Sequence, residues 1–209
     1  AGNSQGYDLS SNTAAGTLAY RKAINAVSNP DEFDINMLVL PGVIPRLPSS
    51  VTTFAKDMCE DRQDTFFVMD ASAWSDSIST AVNAVQAFDS NYVASYYPWV
   101  KILNTDKNKP VWVPPSVVLP GVIAFNDQVA AEWFAPAGFT RGGLTEGLGG
   151  LPVVAVSQRL SSKERDKLYE VNVNPIAQFP AEGIVIFGQK TLQATPTALD
   201  RINVRRLLI

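Results

Sequence analysis

Histidine is absent from the 209 residues, and cysteine occurs once, as Cys59. A Ser-His-Asp or Cys-His nucleophilic mechanism would therefore need a histidine from another chain. Neither an internal disulfide nor a Cys/His zinc site can be assembled. The lone thiol suits a reducing cytosol. Basic excess is missing too: 17 Lys and Arg face 20 Asp and Glu, a formal charge of −3, and no run of Lys or Arg exceeds a pair. Nothing there would neutralise a phosphate backbone, so nucleic acid is not an expected partner. No apolar run approaches the ~20 residues that cross a bilayer, and the opening AGNSQGYDLSSNTAAG is polar, unlike a signal peptide, so no membrane partner is expected. The chain opens without Met and closes on ALDRINVRRLLI, an apolar helical pattern with no capping residue. These features predict a fragment of a longer chain, with 1–12 a flexible segment and 13–209 one core domain.

What is present is apolar material, 46% of the residues, in alternating periods. TLAYRKAINAVSNP sets Leu18, Ile24 and Val27 on one helical stripe ending at Asn29-Pro30. INMLVLPG, Ile35 to Gly42, is a continuous apolar run stopped by Pro-Gly, which predicts a strand covered on both faces. SSVTTFAKDMCEDRQD predicts a helix with Val51, Phe54, Ala55 and Met58 inward and Ser49 or Ser50 as N-cap. TFFVMD repeats the strand. SDSISTAVNAVQAFDS repeats the helix, with Ile78, Ala81, Val82 and Val85 inward, and ASYYPWVKIL predicts a third strand.

KPVWVPPSVVLPG sets four prolines among β-branched and aromatic residues. It reads as an edge-like strand, VWVPP, followed by a helix opening at Pro115 and kinked at Pro120-Gly121. Val117, Val118, Leu119, Val122, Ile123 and Phe125 make that helix apolar nearly all round, hence buried. WFAPAGFTRGGLTEGLGGLP predicts a long ordered loop, VVAVS a strand, and SSKERDKLYEVN a helix opening at Ser161 or Ser162 with Glu164 or Arg165 near its start. IAQFP and GIVIFGQKTL predict two more strands. Such alternation predicts one three-layer α/β sandwich whose mostly parallel sheet is covered by helices on both faces.

Sheets of this kind bind ligands at the carboxyl ends of strands, here Pro41-Gly42, Asp70, Pro98-Trp99 and the loop after Ser157. Asp70, with Ser72, Ser75 and Ser77 beside it, is the best candidate nucleophile or base; a cap or turn former is the competing reading. The 138–150 loop has glycine enough to cradle phosphate but lacks the GK[ST] ending of a P-loop and a GxGxxG opening a helix, so a structural turn competes. Asp57, Glu60, Asp61 and Asp64 share part of a helical face that could hold a hard cation or simply face solvent. Tyr96, Tyr97, Trp99 and Trp112 could stack a planar ligand or pack the core. The residues alone lead to an α/β domain with no assembled active site and no expected cofactor. A hydrolase or nucleotide-binding enzyme using Asp70 and the 138–150 loop is the alternative.

YYPWVKIL, VWVPPSVVLPGVIAFND, AAEWFAPAGFTRGGL, VNPIAQFP, GIVIFGQKTL and ALDRINVRRLLI, in this order, resemble the tail sheath proteins of contractile-tailed bacteriophages. The likeness is clearest from about Tyr92 onward; residues 35–90 share the strand-helix order. It implies a virion structural protein rather than an enzyme, made in the host cytoplasm. Its partners would be other sheath subunits in stacked hexameric rings, a tail tube and a baseplate, and its contraction would drive the tube through the host envelope. A subtilisin-like sheath core without the triad is implied for 13–209. Type VI secretion and bacteriocin-like systems have related sheaths and remain the alternative setting. The PAGFTRGGL loop, the NPI turn and the GQKTL strand match motifs between neighbouring subunits, which implies subunit contacts at Arg141, Arg159 and Lys190. GGLTEGLGG is longer than the family's usual loop. The family's C-terminal domain and strand-adding arms lie outside this sequence, so the chain alone is expected to be monomeric.

Overall fold

Two five-residue runs, Phe66–Asp70 and Val93–Tyr97, are buried at every position. Continuous apolar strands of this kind belong in the middle of a parallel sheet, where both faces are covered. The computed structural model describes residues 3–4, 7–46, 49–104, 107–145, 147 and 149–209. In chain order its elements are β1 (Asn3–Ser4), β2 (Tyr7–Asp8), α1 (Ala15–Ala26), β3 (Met37–Val39), α2 (Ser49–Arg62), β4 (Phe66–Asp70), α3 (Ile78–Val85) and β5 (Val93–Tyr97). There follow β6 (Val100–Asn104), β7 (Lys109–Val113), α4 (Pro115–Val129), α5 (Gly138–Arg141), β8 (Val153–Val156), α6 (Ser162–Glu170), β9 (Val173–Phe179), β10 (Gly183–Ile186), a 3-10 turn at Ala198–Asp200 and α7 (Ile202–Leu207).

The main sheet has the order β10-β9-β5-β4-β3, with β3, β4, β5 and β9 parallel and β10 antiparallel. Because side chains alternate along a strand, Phe67 and Met69 enter one apolar cluster while Phe66 and Val68 enter another. The first cluster is closed by Ile24 of α1, Val51 and Ala55 of α2, Val82 of α3 and Leu168 of α6. Leu119 and Val122 of α4, Ile202 of α7 and a second, three-stranded antiparallel sheet of order β7-β6-β8 close the other. The fold is thus mixed α/β with a mainly parallel central sheet. Among the described residues no helix is long and apolar enough to cross a membrane.

Local chemistry explains where elements begin. Ser77 caps α3 by accepting from the Thr80 amide, and Ser161 with Glu164 forms a reciprocal capping box at α6. Pro115 occupies the first position of α4, where a missing N–H costs nothing. The helix then continues through Pro120 to Val129. Of the two cap candidates for α2, both lie inside its first turn, and the Ser49 side chain is outside the described residues. Arg62 ends that helix as a buried tie: it donates to the carbonyls of Val27 at 2.6 Å and Phe33 at 2.8 Å and holds both carboxylate oxygens of Asp64 at 2.8 Å.

Further expectations change. The apolar run 35–42 yields only β3, a half-buried strand at the sheet edge, because β4 pairs with it on one side and, among the described residues, no strand lies on the other. ASYYPWVKIL is not one strand: the chain turns at Pro98, after a cis Tyr97–Pro98 bond, so that β5 stays in the main sheet and β6 opens the second one. Asn174-Pro175-Ile176 is not a turn but the interior of β9, with Pro175 opposite Tyr97 of β5. In GIVIFGQKTL the strand stops at Ile186, and Lys190 forms only an isolated bridge to Arg201. VWVPP does form an edge strand, β7 of the second sheet. Within 1–12, Leu9 is wholly buried and Tyr7 meets Tyr20 edge-on at 5.9 Å; residues 1, 2, 5 and 6 lie outside the description.

Candidate functional site

Asp70 ends β4 at the carboxyl edge of the sheet, as its place in the sequence implies, but it is 1% exposed. Its carboxylate accepts from the Gly42 amide at 3.0 Å, the Ser116 amide at 3.1 Å and the Ser116 hydroxyl at 2.7 Å. Pro114 offers no side-chain cap to α4, so Asp70 supplies from another strand the acceptor that the helix N-terminus lacks. Burial pushes the Asp70 pKa up to about 6, against the downward pull of the Gly42 and Ser116 hydrogen bonds. The neighbouring serines have other work: the Ser72 carbonyl accepts from Trp99 Nε1 at 2.7 Å, Ser77 caps α3, and Ser75 is exposed. Asp70 is a junction between three elements with every acceptor turned inward, which gives a reacting group no route to it.

The glycine-rich 138–150 segment is equally committed. Leu144 is buried, its amide donates to the Ile184 carbonyl, the Gly142 carbonyl accepts from Ile186, and Gly143 bridges Val185, so the segment lies along the outer edge of β10. Glu146 and Leu148 are outside the described residues. The acidic face of α2 divides between cations: Lys56 holds Asp57 and Glu60, and Arg62 holds Asp64. No group of three or more Asp, Glu or Cys is arranged for a metal among the described residues. Tyr96 and Tyr97 join different core clusters, on opposite sides of the sheet, so they form no common stacking platform with the tryptophans. Trp112 instead meets Trp74 at 5.9 Å.

The three residues implied as subunit contacts sit apart along the chain, Arg141 in α5, Arg159 between β8 and α6, and Lys190 after β10. Arg141, in α5, donates to the Ala135 carbonyl and lies over the Phe134 ring at 4.8 Å. Arg159 is exposed and reaches Gln178 of β9 at 3.0 Å. Lys190 donates to the Tyr169 carbonyl and covers that ring at 4.0 Å. Sequence reasoning missed Arg165, whose guanidinium covers Phe179 and Phe187. The signal available was three phenylalanines, Phe139 in the glycine-rich loop and Phe179 and Phe187 in the last two expected strands.

The profile of the family described as "Phage tail sheath protein central domain" matches residues 13–192. The chain belongs to the phage tail sheath family. Among curated sheath proteins, that of Vibrio phage KVP40 is 39% identical over 119 residues, 57% of this chain and 16% of the relative. That of Enterobacteria phage T4 is 31% identical over 137 residues, 66% of this chain and 19% of the relative. The aligned parts thus span under a fifth of those sheath proteins. Solved structures with the same sheath fold include the PVC sheath complex of an extracellular contractile injection system in its contracted state. Its TM-score is 0.67 at 25% identity, over 88% of this chain and 48% of that one. The contracted helical sheath of the anti-feeding prophage gives a TM-score of 0.60 at 26% identity, over 92% and 47%.

Proposed function

We propose that this chain is the core of a structural subunit of a contractile phage tail sheath. Such a subunit would be a virion component made in the host cytoplasm. It would assemble with other sheath subunits as hexameric rings stacked around a tail tube, above a baseplate, and contract to drive the tube through the host envelope. The family match across 13–192 carries this reading. Curated relatives at 31 to 39% identity are phage tail sheath proteins, which favours a phage tail. The injection-system setting is the second reading, favoured by solved neighbours at 25 to 26% identity.

Residues 13–209 act as one sheath core, with 1–12 leading into it. The two apolar clusters on opposite faces of β4 and β5 support a three-layer, subtilisin-like arrangement without a triad. The function is mechanical, with no catalytic step, cofactor, nucleic acid or membrane, and Arg141, Arg159 and Lys190 serve as subunit contacts. On its own the chain is monomeric at ordinary concentrations, because strand-adding arms contribute much of the affinity in such assemblies. Ultracentrifugation of the full-length product tests the proposal: it should pellet as polymer, and a product that stays in the supernatant at assembly concentrations contradicts it.

A further inference from the structure

Two surfaces at opposite edges of the main sheet have matching chemistry. At the β9–β10 edge, Phe139, Phe179 and Phe187 pack ring on ring with centroids 5.2 to 5.9 Å apart. The Arg165 guanidinium lies over Phe179 at 5.2 Å and Phe187 at 5.7 Å. Phe139 and Phe187 still remain 49% and 42% exposed. Beside them opens a cavity of about 340 Å³ lined by Ser162, Arg165, Asp166, Tyr169, Pro175 and Phe187. Tyr169 draws two more cations there: Lys190 covers its ring, and Arg201 donates to its hydroxyl at 3.1 Å. Burial and the neighbouring Arg201 charge push the Lys190 pKa down. An incoming carboxylate would relieve the second of these. Aromatic rings with arginine are the composition of interface centres rather than of free surface.

The complementary surface precedes the opposite edge strand. Asp31, Glu32, Phe33 and Asp34 are all exposed, Phe33 by 37%. This knob is held in shape: the Phe33 amide donates to the Asn29 carbonyl at 3.1 Å, the Asp31 amide to the Asn29 side chain at 3.1 Å, and the buried Arg62 guanidinium to the Phe33 carbonyl at 2.8 Å. Residues 31–34 and 56–64 together carry seven carboxylates against two cations, an excess larger than the −3 of the whole chain. The rest of the molecule is therefore net positive by two charges, and at the Arg165 edge three cations, Arg165, Lys190 and Arg201, stand with Asp166 and Asp200, the latter paired with Arg201 at 3.2 Å.

We propose that Phe33 of one copy of this chain inserts into the cavity between Arg165, Tyr169 and Phe187 of a second copy, while its flanking carboxylates meet Arg165, Lys190 and Arg201. The identity of the partner rests on the sheath reading. The two edges are four strand spacings apart, roughly 19 Å. They also differ in level: Phe33 lies before the start of β3, whereas Pro175 is level with Tyr97 at the end of β5. A contact between unlike patches is heterologous, so it propagates head to tail instead of closing a two-fold dimer. The preformed knob keeps the ordering cost low.

Sedimentation equilibrium of the 209-residue chain over a wide concentration range, up to the highest attainable, tests the contact. Weak concentration-dependent association is expected, weakened at least tenfold in Phe33→Ala, in Arg165→Glu and in a Glu32→Lys, Asp34→Lys double variant, all with wild-type melting curves. Mixing the Arg165→Glu chain with the double-lysine chain should restore association, because each mixed contact then joins opposite charges. Should Arg165→Glu lose fold, Arg201→Glu replaces it in the same mixing experiment. No association of the wild-type chain, no effect of Phe33→Ala, or no rescue on mixing each overturns the proposal. Polymer formation by the full-length product judges the sheath reading separately: polymers indifferent to Phe33→Ala keep that reading and discard this contact.

Discussion

Gly121 in α4 and Gly149 in the glycine-rich loop meet backbone to backbone: a β-carbon on Gly149 would lie 2.8 Å from the Val122 amide nitrogen, and one on Gly121 would overlap the Gly149 carbonyl oxygen. Both glycines are required because two main chains pass too close for any side chain. The contact turns the loop from a possible phosphate cradle into a packing element. Gly121→Ala is therefore expected to cost about 1–3 kcal/mol, the range for overpacking a close contact. Urea melting checks it, and an unchanged midpoint would mean the loop does not dock on α4.

Asp70 makes the enzyme alternative testable on the same protein. Asp70→Ala leaves the Gly42 amide and both Ser116 donors without an acceptor, at a cost of about 2–4 kcal/mol near neutral pH. Esterase, phosphatase and peptidase screens should find no activity, and activity lost specifically in Asp70→Asn would restore the enzyme reading.

The pH dependence has a definite sign. The folded pKa of about 6 stands above the ordinary 3.8, so the folded state holds this proton more tightly than the unfolded one. The contribution of that proton is complete below about pH 4 and is lost as pH rises through 6. The melting temperature of the wild type relative to Asp70→Asn should therefore fall between pH 4 and pH 7. A constant difference would show that the buried carboxyl does not titrate in that window.

Val122 is fully buried between α4 and the main sheet. Val122→Asp would bury an unpaired carboxylate at a cost of several kcal/mol, comparable with the stability of a whole domain. The variant is expected to be unfolded at room temperature by circular dichroism. A melting temperature near wild type would place this helix face at the surface.

The alternation from residue 35 to 97 was legible because β4 and β5 are buried on both faces and their helices each show a single inward stripe. Helix starts at Pro115 and at Ser161 or Ser162 were legible because caps are local chemistry, whereas the Ser77 cap of α3 was not read from its serine-rich stretch. What stayed hidden depends on distant partners. Pro98 looks like an interruption within one apolar run, and only the second sheet that receives β6 makes it a corner. Pro175 can sit inside β9 and still pair with β5, which no local turn preference reveals. Asp70 stood out at its strand end, yet Gly42 and Ser116, its partners 28 and 46 residues away, decide that it anchors rather than reacts. Arg141, Arg159 and Lys190 were reached only through family likeness, and the phenylalanines around Arg165 come together from three separated segments.

Cys59 is fully buried among Val51, Ala55 and Met58, and burial pushes its thiol up to about 12. A neutral thiol without solvent access is a poor nucleophile. Disulfide reagents at pH 8 should label it only after denaturation, and Cys59→Ala should fold normally with a loss of about 1 kcal/mol. Rapid labelling of the native protein would contradict this packing role.

The central claim, a mechanical subunit built on this core, is tested most directly by electron cryomicroscopy of the full-length product. The expected result is a tube of stacked six-fold rings in which each subunit's density accepts the fold of residues 13–192, with the sheet of β10-β9-β5-β4-β3 recognisable. Discrete soluble particles with no helical order, or tubes whose subunit density cannot hold this fold, would contradict it.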